Sequence, residues 1–509
     1  MKRNYQILSF IFTFACLIRL ASVWPANTII GFDQARDLFD SRKIVLDKDL
    51  RIVGPTAGNN ANLHHGVAFL YFLIPPLILG GGNPIWAVLW NSLINASSII
   101  VLFLFAKSLF KDKRAGIIAA IIGSVSYYYV QFSGWLSNPT VTLFTVPLFF
   151  LGFWQYKEDK SWGLPLAAFF LGLSIQFEIF FLYLIPTAAI LFLVLKLKPP
   201  TVKIFVYSLI AICFSLSSMI ATEIKFGFSG LRALLSATGG QKPSFFQNLE
   251  YFFDRFFQTF SQTLWPQNKT FAIAVGIFII ALLLYQIIRF KNGRPTLIFL
   301  LVYLFSPGLM LILGSHAAPW FLIGLPPAII LLTSFVLSKI KSPVLLCLCL
   351  SLIAFINLKA VINSYGQGQA LLEPDRSATL SKQIAAMDYT YQMSPGENFA
   401  IDAVTNPLYI NAVWAYNYNW YWHRYGYKPS WLGGDQIPPY DTLSKASGNE
   451  KYLFLIIDQT PRIPPIYTQN ATNSMKKIAN YIEEKEFDGI KVIMWKNKNY
   501  KNSTTIKAQ

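Results

Sequence analysis

Gly66-Val67-Ala68-Phe69-Leu70-Tyr71-Phe72-Leu73-Ile74-Pro75-Pro76-Leu77-Ile78-Leu79-Gly80-Gly81-Gly82 holds an apolar run of about fourteen residues that closes on three glycines. A membrane span needs ~20 apolar residues, with ~17 as a lower limit. The Pro75-Pro76 pair also denies the run two backbone donors. It therefore reads as a helix lying along a membrane face. That reading sets the sidedness of the chain: if the run crossed, the cluster Lys107/Lys111/Lys113/Arg114 would land opposite the other basic loops.

The rest of the chain falls into place around it. Of its 509 residues, 54% are hydrophobic and 13% charged, against ~25% charged in soluble domains. Apolar runs at about 5–24, 84–106, 115–132, 139–156, 162–178, 180–196, 203–221, 270–289, 296–313, 318–338 and 343–361 predict a polytopic α-helical membrane protein of about 11 spans. The net charge of +18 sits in short clusters between these runs, such as Lys196/Lys198/Lys203, Arg289/Lys291/Arg294 and Lys339/Lys341. This is the pattern of cytoplasmic loops, and it argues against nucleic acid as a partner. With the N-terminus inside, a first external loop (25–83), a second (222–269) and everything after about 362 fall outside. Cys16, Cys213, Cys347 and Cys349 lie in apolar runs without metal-site or CxxC spacing and read as small buried hydrophobes.

Residues 1–362 thus form a transmembrane part and residues 363–509 a small polar α/β domain. In that domain Phe399–Val404, Tyr452–Ile457 and Gly489–Trp495 read as strands, and Ser474–Glu486 as a helix. The aromatic run from Trp414 fits either a helix or strand period two, with helix preferred; its rings suit core packing or stacking on sugars. Loop 222–269 interleaves Phe245-Phe246, Tyr251-Phe252-Phe253 and Phe256-Phe257 with Glu250, Asp254 and Arg255, as an amphipathic helix on lipid would.

Chemistry-bearing residues gather at the outer side. Gly31-Phe32-Asp33-Gln34-Ala35-Arg36-Asp37 follows the first span by about ten residues. A carboxylate beside a bilayer is costly. Asp33 is a candidate general base, with Asp37 one turn further on; the competing reading is an N-cap for a helix 34–43. Arg36 would tune Asp33, and Arg36 with Asp40 has the spacing of a surface pair. His64 and His65 open the short apolar helix, where an anion is favoured. Glu178 sits between two apolar runs at an expected water-reached outer mouth. Arg19 either snorkels or neutralises a site carboxylate. Lys225 and Arg232 are candidate phosphate contacts, and His316, in a short external loop, could face the same cavity. Nothing in the sequence calls for a metal or cofactor.

The acidic segment after the first span, His65-Gly66-Val67-Ala68-Phe69-Leu70-Tyr71-Phe72-Leu73 about thirty residues on, and Phe105-Ala106-Lys107-Ser108-Leu109-Phe110-Lys111-Asp112-Lys113-Arg114-Ala115-Gly116 together resemble GT-C glycosyltransferases of the protein-mannosyltransferase and aminoarabinose-transferase type. Leu171–Phe177 and the proline-bearing Phe321–Pro327 add to the likeness, which covers roughly residues 1–340. The resemblance implies inverting transfer of a sugar from a polyprenyl-phosphate donor, on the outer face of the cell membrane, to an acceptor the sequence does not identify. Asp33 would be the base. Many relatives carry Asp-Glu here, whereas this chain has Asp33-Gln34, so a second carboxylate would have to be Asp37. A late arginine of relatives is absent from Pro319-Trp320-Phe321, which leaves His65, His316 or Lys225 for the donor phosphate. The competing function is a transporter or flippase of lipid-linked glycans, which would need broken helices and charges at mid-membrane.

Overall fold

The computed structural model describes residues 2–57, 62–236, 244–266, 268–289, 293–311 and 319–500. Two compact units emerge. One comprises Met1–Ser22, Leu50–Phe72 and Val88–Tyr365; the other comprises Val23–Asp49, Leu73–Ala87 and Gly366–Gln509.

The first unit is helical. Among the described residues, Gln6–Val23, Pro84–Phe110, Lys269–Arg289 and Pro343–Asn363 are long and apolar enough to cross a membrane. Two bent pairs, Lys113–Val125 with Tyr127–Ser133 (56°) and Val202–Ser215 with Ser217–Lys225 (65°), bring the number to six if each pair is one span. Shorter apolar helices occupy Gly163–Phe177, Ile179–Val194, Arg294–Met310 and Pro326–Ser338. Ala68–Leu79 is a helix of 12 residues with Pro75 and Pro76 inside it, too short to span, as its sequence predicts.

Polar side chains fix the helix ends between the apolar runs. The Asp112 side chain accepts from Arg114 N–H at 2.8 Å and starts Lys113–Val125. Ser244 and Gln247 form a capping box that starts Phe245–Leu264. That helix buries Phe252, Phe256 and Phe260 against protein and exposes Phe245, Phe246, Tyr251 and Phe253.

Arg19 departs from both expectations. It is wholly buried. Its Nε donates to Asn95 Oδ1 (2.7 Å), and its terminal nitrogens donate to the carbonyls of Ala15 (3.0 Å), Ser124 (3.2 Å) and Gly123 (3.3 Å). The Gly123 and Ser124 carbonyls lie at the C-terminal end of Lys113–Val125, where the bend interrupts the ladder and the dipole is negative. A cation there satisfies them.

The second unit carries a five-stranded sheet of order β2-β1-β3-β5-β4, with β1 Phe399–Val404, β2 Ser430–Trp431, β3 Tyr452–Asp458, β4 Ala479–Glu486 and β5 Ile490–Asn497. β2, β1 and β3 run parallel; β5 is antiparallel to β3 and β4. The expected strands are present, but the expected helix 474–486 is not. The helix is Pro465–Ile478, and residues 479–486 form the exposed edge strand β4. Lys, Glu and Ile there favour a helix locally, yet pairing with β5 overrides that preference, and the charges suit an edge. Ala412–Tyr421 is helical, with Trp414, Tyr416 and Tyr418 fully buried. Those rings are core and are not available to stack on sugars.

Helix Phe32–Leu46 belongs to this unit. Phe39 meets Tyr416 edge-to-face at 5.0 Å and Tyr440 at 5.6 Å. The strand-like lead-in is stitched to the tail: Ile30 N–H donates to Ala378 O (2.7 Å), Leu380 N–H to Thr28 O (2.8 Å), and the Gln383 amide to Ile30 O (2.9 Å).

Candidate active site

The acidic helix starts two residues earlier than its sequence reading. Gly31 is the N-cap, and Gln34 Oε1 accepts the Gly31 N–H at 3.0 Å. Asp33 is therefore not the cap; it lies in the first turn, where the N-terminal dipole favours a carboxylate. Its side chain is 66% exposed. Arg36 holds it at 2.7 Å and reaches Asp37 at 2.9 Å. Asp37 is buried, and burial pushes its carboxyl up to about 7 despite Arg36. Asp40, expected on the surface, is buried as well. The result is one exposed carboxylate, one guanidinium and one enclosed carboxyl along a single face of a helix anchored by its apolar side.

A cavity of about 310 Å³ adjoins Asp33, lined also by Ile29, Phe32, Asp375, Asn406, Asp458 and Arg462. Asp375 accepts from Thr460 Oγ1 at 2.7 Å and stands 3.8 Å from Arg462. Burial, and then the charge of Asp375, pushes the Asp458 carboxyl up to about 7, with the Asn406 backbone N–H acting the other way. Asp375, Asp458 and Arg462 were not singled out from the sequence. An acid directly after the apolar run Tyr452–Ile457 was the signal that could have found Asp458.

In the helical unit, His65 and Glu178 come together. His65 Nδ1 lies 3.4 Å from Glu178 Oε1 and 3.5 Å from the Ile179 N–H. Glu178 is buried, with a side chain 3% exposed, not at a wet mouth. The backbone explains the pairing. Gly66 N–H donates to Gln176 O at 2.9 Å, and a methyl group on Gly66 would overlap the Gln176 side chain and approach its Cα to 2.9 Å. A methyl on Gly54 would strike the His65 and Gly66 carbonyls. Glycine at both positions lets Gly54 press against residues 65–66 and lets Gly66 press against Gln176.

His64 and His65 do not open a helix, since the helix begins at Ala68. His64 Nδ1 instead faces Gly54 O at 3.0 Å. His64 also lines an apolar groove of about 320 Å³, together with Leu63, Ile179, Leu216, Met219 and Leu234. Lys225 is exposed at the end of Ser217–Lys225, over the Phe226 ring at 5.4 Å. Arg232 is bonded to the carbonyls of Gly227 (2.6 Å) and Phe228 (3.4 Å). His316 lies outside the described residues. A larger cavity, about 510 Å³, lies among Lys111, Lys157, Glu158 and Lys339 and contains none of the candidate residues. Among the described residues no cluster of three or more His, Cys, Asp or Glu could hold a metal ion.

Residues 65–221 match the family model of dolichyl-phosphate-mannose-protein mannosyltransferase. The fold is similar to that of ArnT from Cupriavidus metallidurans, both in the apo state (TM-score 0.60) and bound to undecaprenyl phosphate (TM-score 0.59). Each is 10% identical, and the match covers 96% of this chain and 97% of that one. No curated protein sequence matches. The chain is thus like the GT-C protein-mannosyltransferases and aminoarabinose transferases, as its loop motifs suggest.

Proposed function

We propose that this protein is a membrane glycosyltransferase that moves a sugar from a polyprenyl-phosphate donor to an acceptor hydroxyl on the outer face, with inversion and with Asp33 as the general base. The observation that carries the reading is the exposed Asp33 carboxylate, fixed through Arg36 to the enclosed Asp37, on a helix too well packed to wander. The acceptor O–H gives its proton to Asp33 as its oxygen attacks the anomeric carbon. The bond from that carbon to the phosphate oxygen breaks, and polyprenyl phosphate leaves with the electron pair. A phosphate leaves without an acid, so one base and a cationic contact suffice. His65 and the exposed Lys225 are the proposed phosphate contacts, and Glu178 sets the orientation of His65. The apolar groove beside His64 has the lining a prenyl tail requires, and undecaprenyl phosphate is the ligand of the similar ArnT structure.

The proposed topology has eleven spans and an inside N-terminus, with 1–362 as the catalytic membrane domain and 363–509 outside. Four long apolar helices and two bent pairs among the described residues support six of these spans, and the shorter apolar helices would supply the others. The test is incubation of membranes holding the protein with radiolabelled polyprenyl-phosphate sugars. Label leaving the lipid in the wild type and staying on it in D33N supports the reading; label that stays in both refutes it.

A further inference from the structure

The cavity beside Asp33 has a position that the transfer reading does not require. In open sheets with parallel strands, ligands bind outside the carboxyl ends of strands whose connections leave in opposite directions. β1 and β3 are such a pair. The chain leaves β1 for β2 on one side and leaves β3 for β4 and β5 on the other. Asn406 follows the end of β1, Asp458 ends β3, and Arg462 lies just beyond. The start of helix Phe32–Leu46 walls the same space, bringing Asp33 to it. At about 310 Å³ it falls at the small end of the range for ligand pockets.

We infer that this cleft at the carboxyl ends of β1 and β3 is the acceptor site and takes a neutral, polyhydroxylated ring, a sugar unit, presenting one hydroxyl to Asp33. The inference rests on the transferase reading. Asp375, Asp458 and the Asn406 amide are the groups that accept and donate to vicinal hydroxyls, while Ile29 and Phe32 offer apolar surface to the C–H face of a ring. The cations beside the cleft, Arg36 and Arg462, already face Asp33 and Asp375, so a phosphorylated acceptor is disfavoured.

The test uses the full-length protein in lipid nanodiscs and saturation-transfer NMR with methyl α-D-mannopyranoside and lactose, with glucose 6-phosphate as the anionic probe. Neutral sugars should give signal in the wild type. The signal should fall about tenfold or more in D458N, which removes a charged acceptor, and in R462W, which fills the mouth from a mostly exposed position. Glucose 6-phosphate should give none. Absence of neutral-sugar signal in the wild type, equal signal in wild type and a folded variant, or preference for glucose 6-phosphate overturns the inference. Undecaprenyl phosphate binding, read by tryptophan fluorescence, separates the two claims. If it persists while neutral sugars fail to bind, the cleft assignment falls alone. If it is absent while neutral sugars bind through Asp458, the donor reading falls and sugar recognition by the cleft stands.

Discussion

Replacing Gly66 with alanine tests how the His65–Glu178 pair is held. The new methyl would overlap the Gln176 side chain and stand 2.9 Å from its Cα. The side chain can swing away, but the backbone cannot. Swinging breaks the contacts between Gln176 and Ser218 at 2.8 and 3.2 Å. Overpacking costs ~1–3 kcal/mol, and a lost hydrogen bond adds ~1 kcal/mol. A local penalty of ~2–4 kcal/mol raises the open population of the contacts made by residues 64–66 roughly 30- to 700-fold, at ~1.4 kcal/mol per decade. Hydrogen-exchange mass spectrometry on peptides covering 52–66 and 174–180 should show faster exchange there and unchanged exchange in β1 and β3. Unchanged exchange at 52–66 would refute the argument that glycine is required for the close approach.

Three further outcomes follow from the geometry. E178Q keeps the shape of a buried side chain while removing its charge, so folding should survive and sugar transfer should fall about tenfold or more, read on labelled donor. L216W fills part of the apolar groove; it should weaken undecaprenyl phosphate binding without changing the melting temperature by more than a few degrees. The third concerns pH. Asp37 and Asp458 have folded values of about 7, above their ordinary 3.8. Between those values the folded state binds more protons, so stability should decline as pH rises from ~4 to ~7. Thermal melts of D37N should decline less over that interval, and equal slopes in mutant and wild type would contradict the assigned burial.

Much of this architecture was legible because it rests on length and periodicity. Six of the eleven apolar runs gave long helices or bent pairs among the described residues, those at 139–156, 162–178, 180–196, 296–313 and 318–338 gave shorter helices, and the Pro75-Pro76 segment is as short as its reading required. The strand runs Phe399–Val404 and Tyr452–Ile457 were clear because they are continuous and β-branched or aromatic. Helix 465–478 and strand β4 were misplaced because Lys and Glu favour a helix locally, whereas pairing to β5 is a long-range fact. Arg19 was misread for a similar reason: its partners include Asn95 and the Gly123 and Ser124 carbonyls, far away in sequence, and carbonyl groups leave no mark on composition. Asp33 and Asp37 stood out as carboxylates near a span, but their different exposures depend on packing against Tyr416 and Tyr440. Asp458 acquires its setting only when β1 and β3 are placed side by side. Pairing of His65 with Glu178 depends on the close approach that Gly54 and Gly66 allow.

The most direct measurement is the single-turnover rate of sugar release from a polyprenyl-phosphate donor in D33N against the wild type, alongside donor binding. Asparagine preserves the size of the residue and removes the proton acceptor. The account predicts a loss of about 100-fold or more, the scale of general-base catalysis, with donor binding retained. A D33N enzyme that transfers sugar at close to the wild-type rate would contradict it.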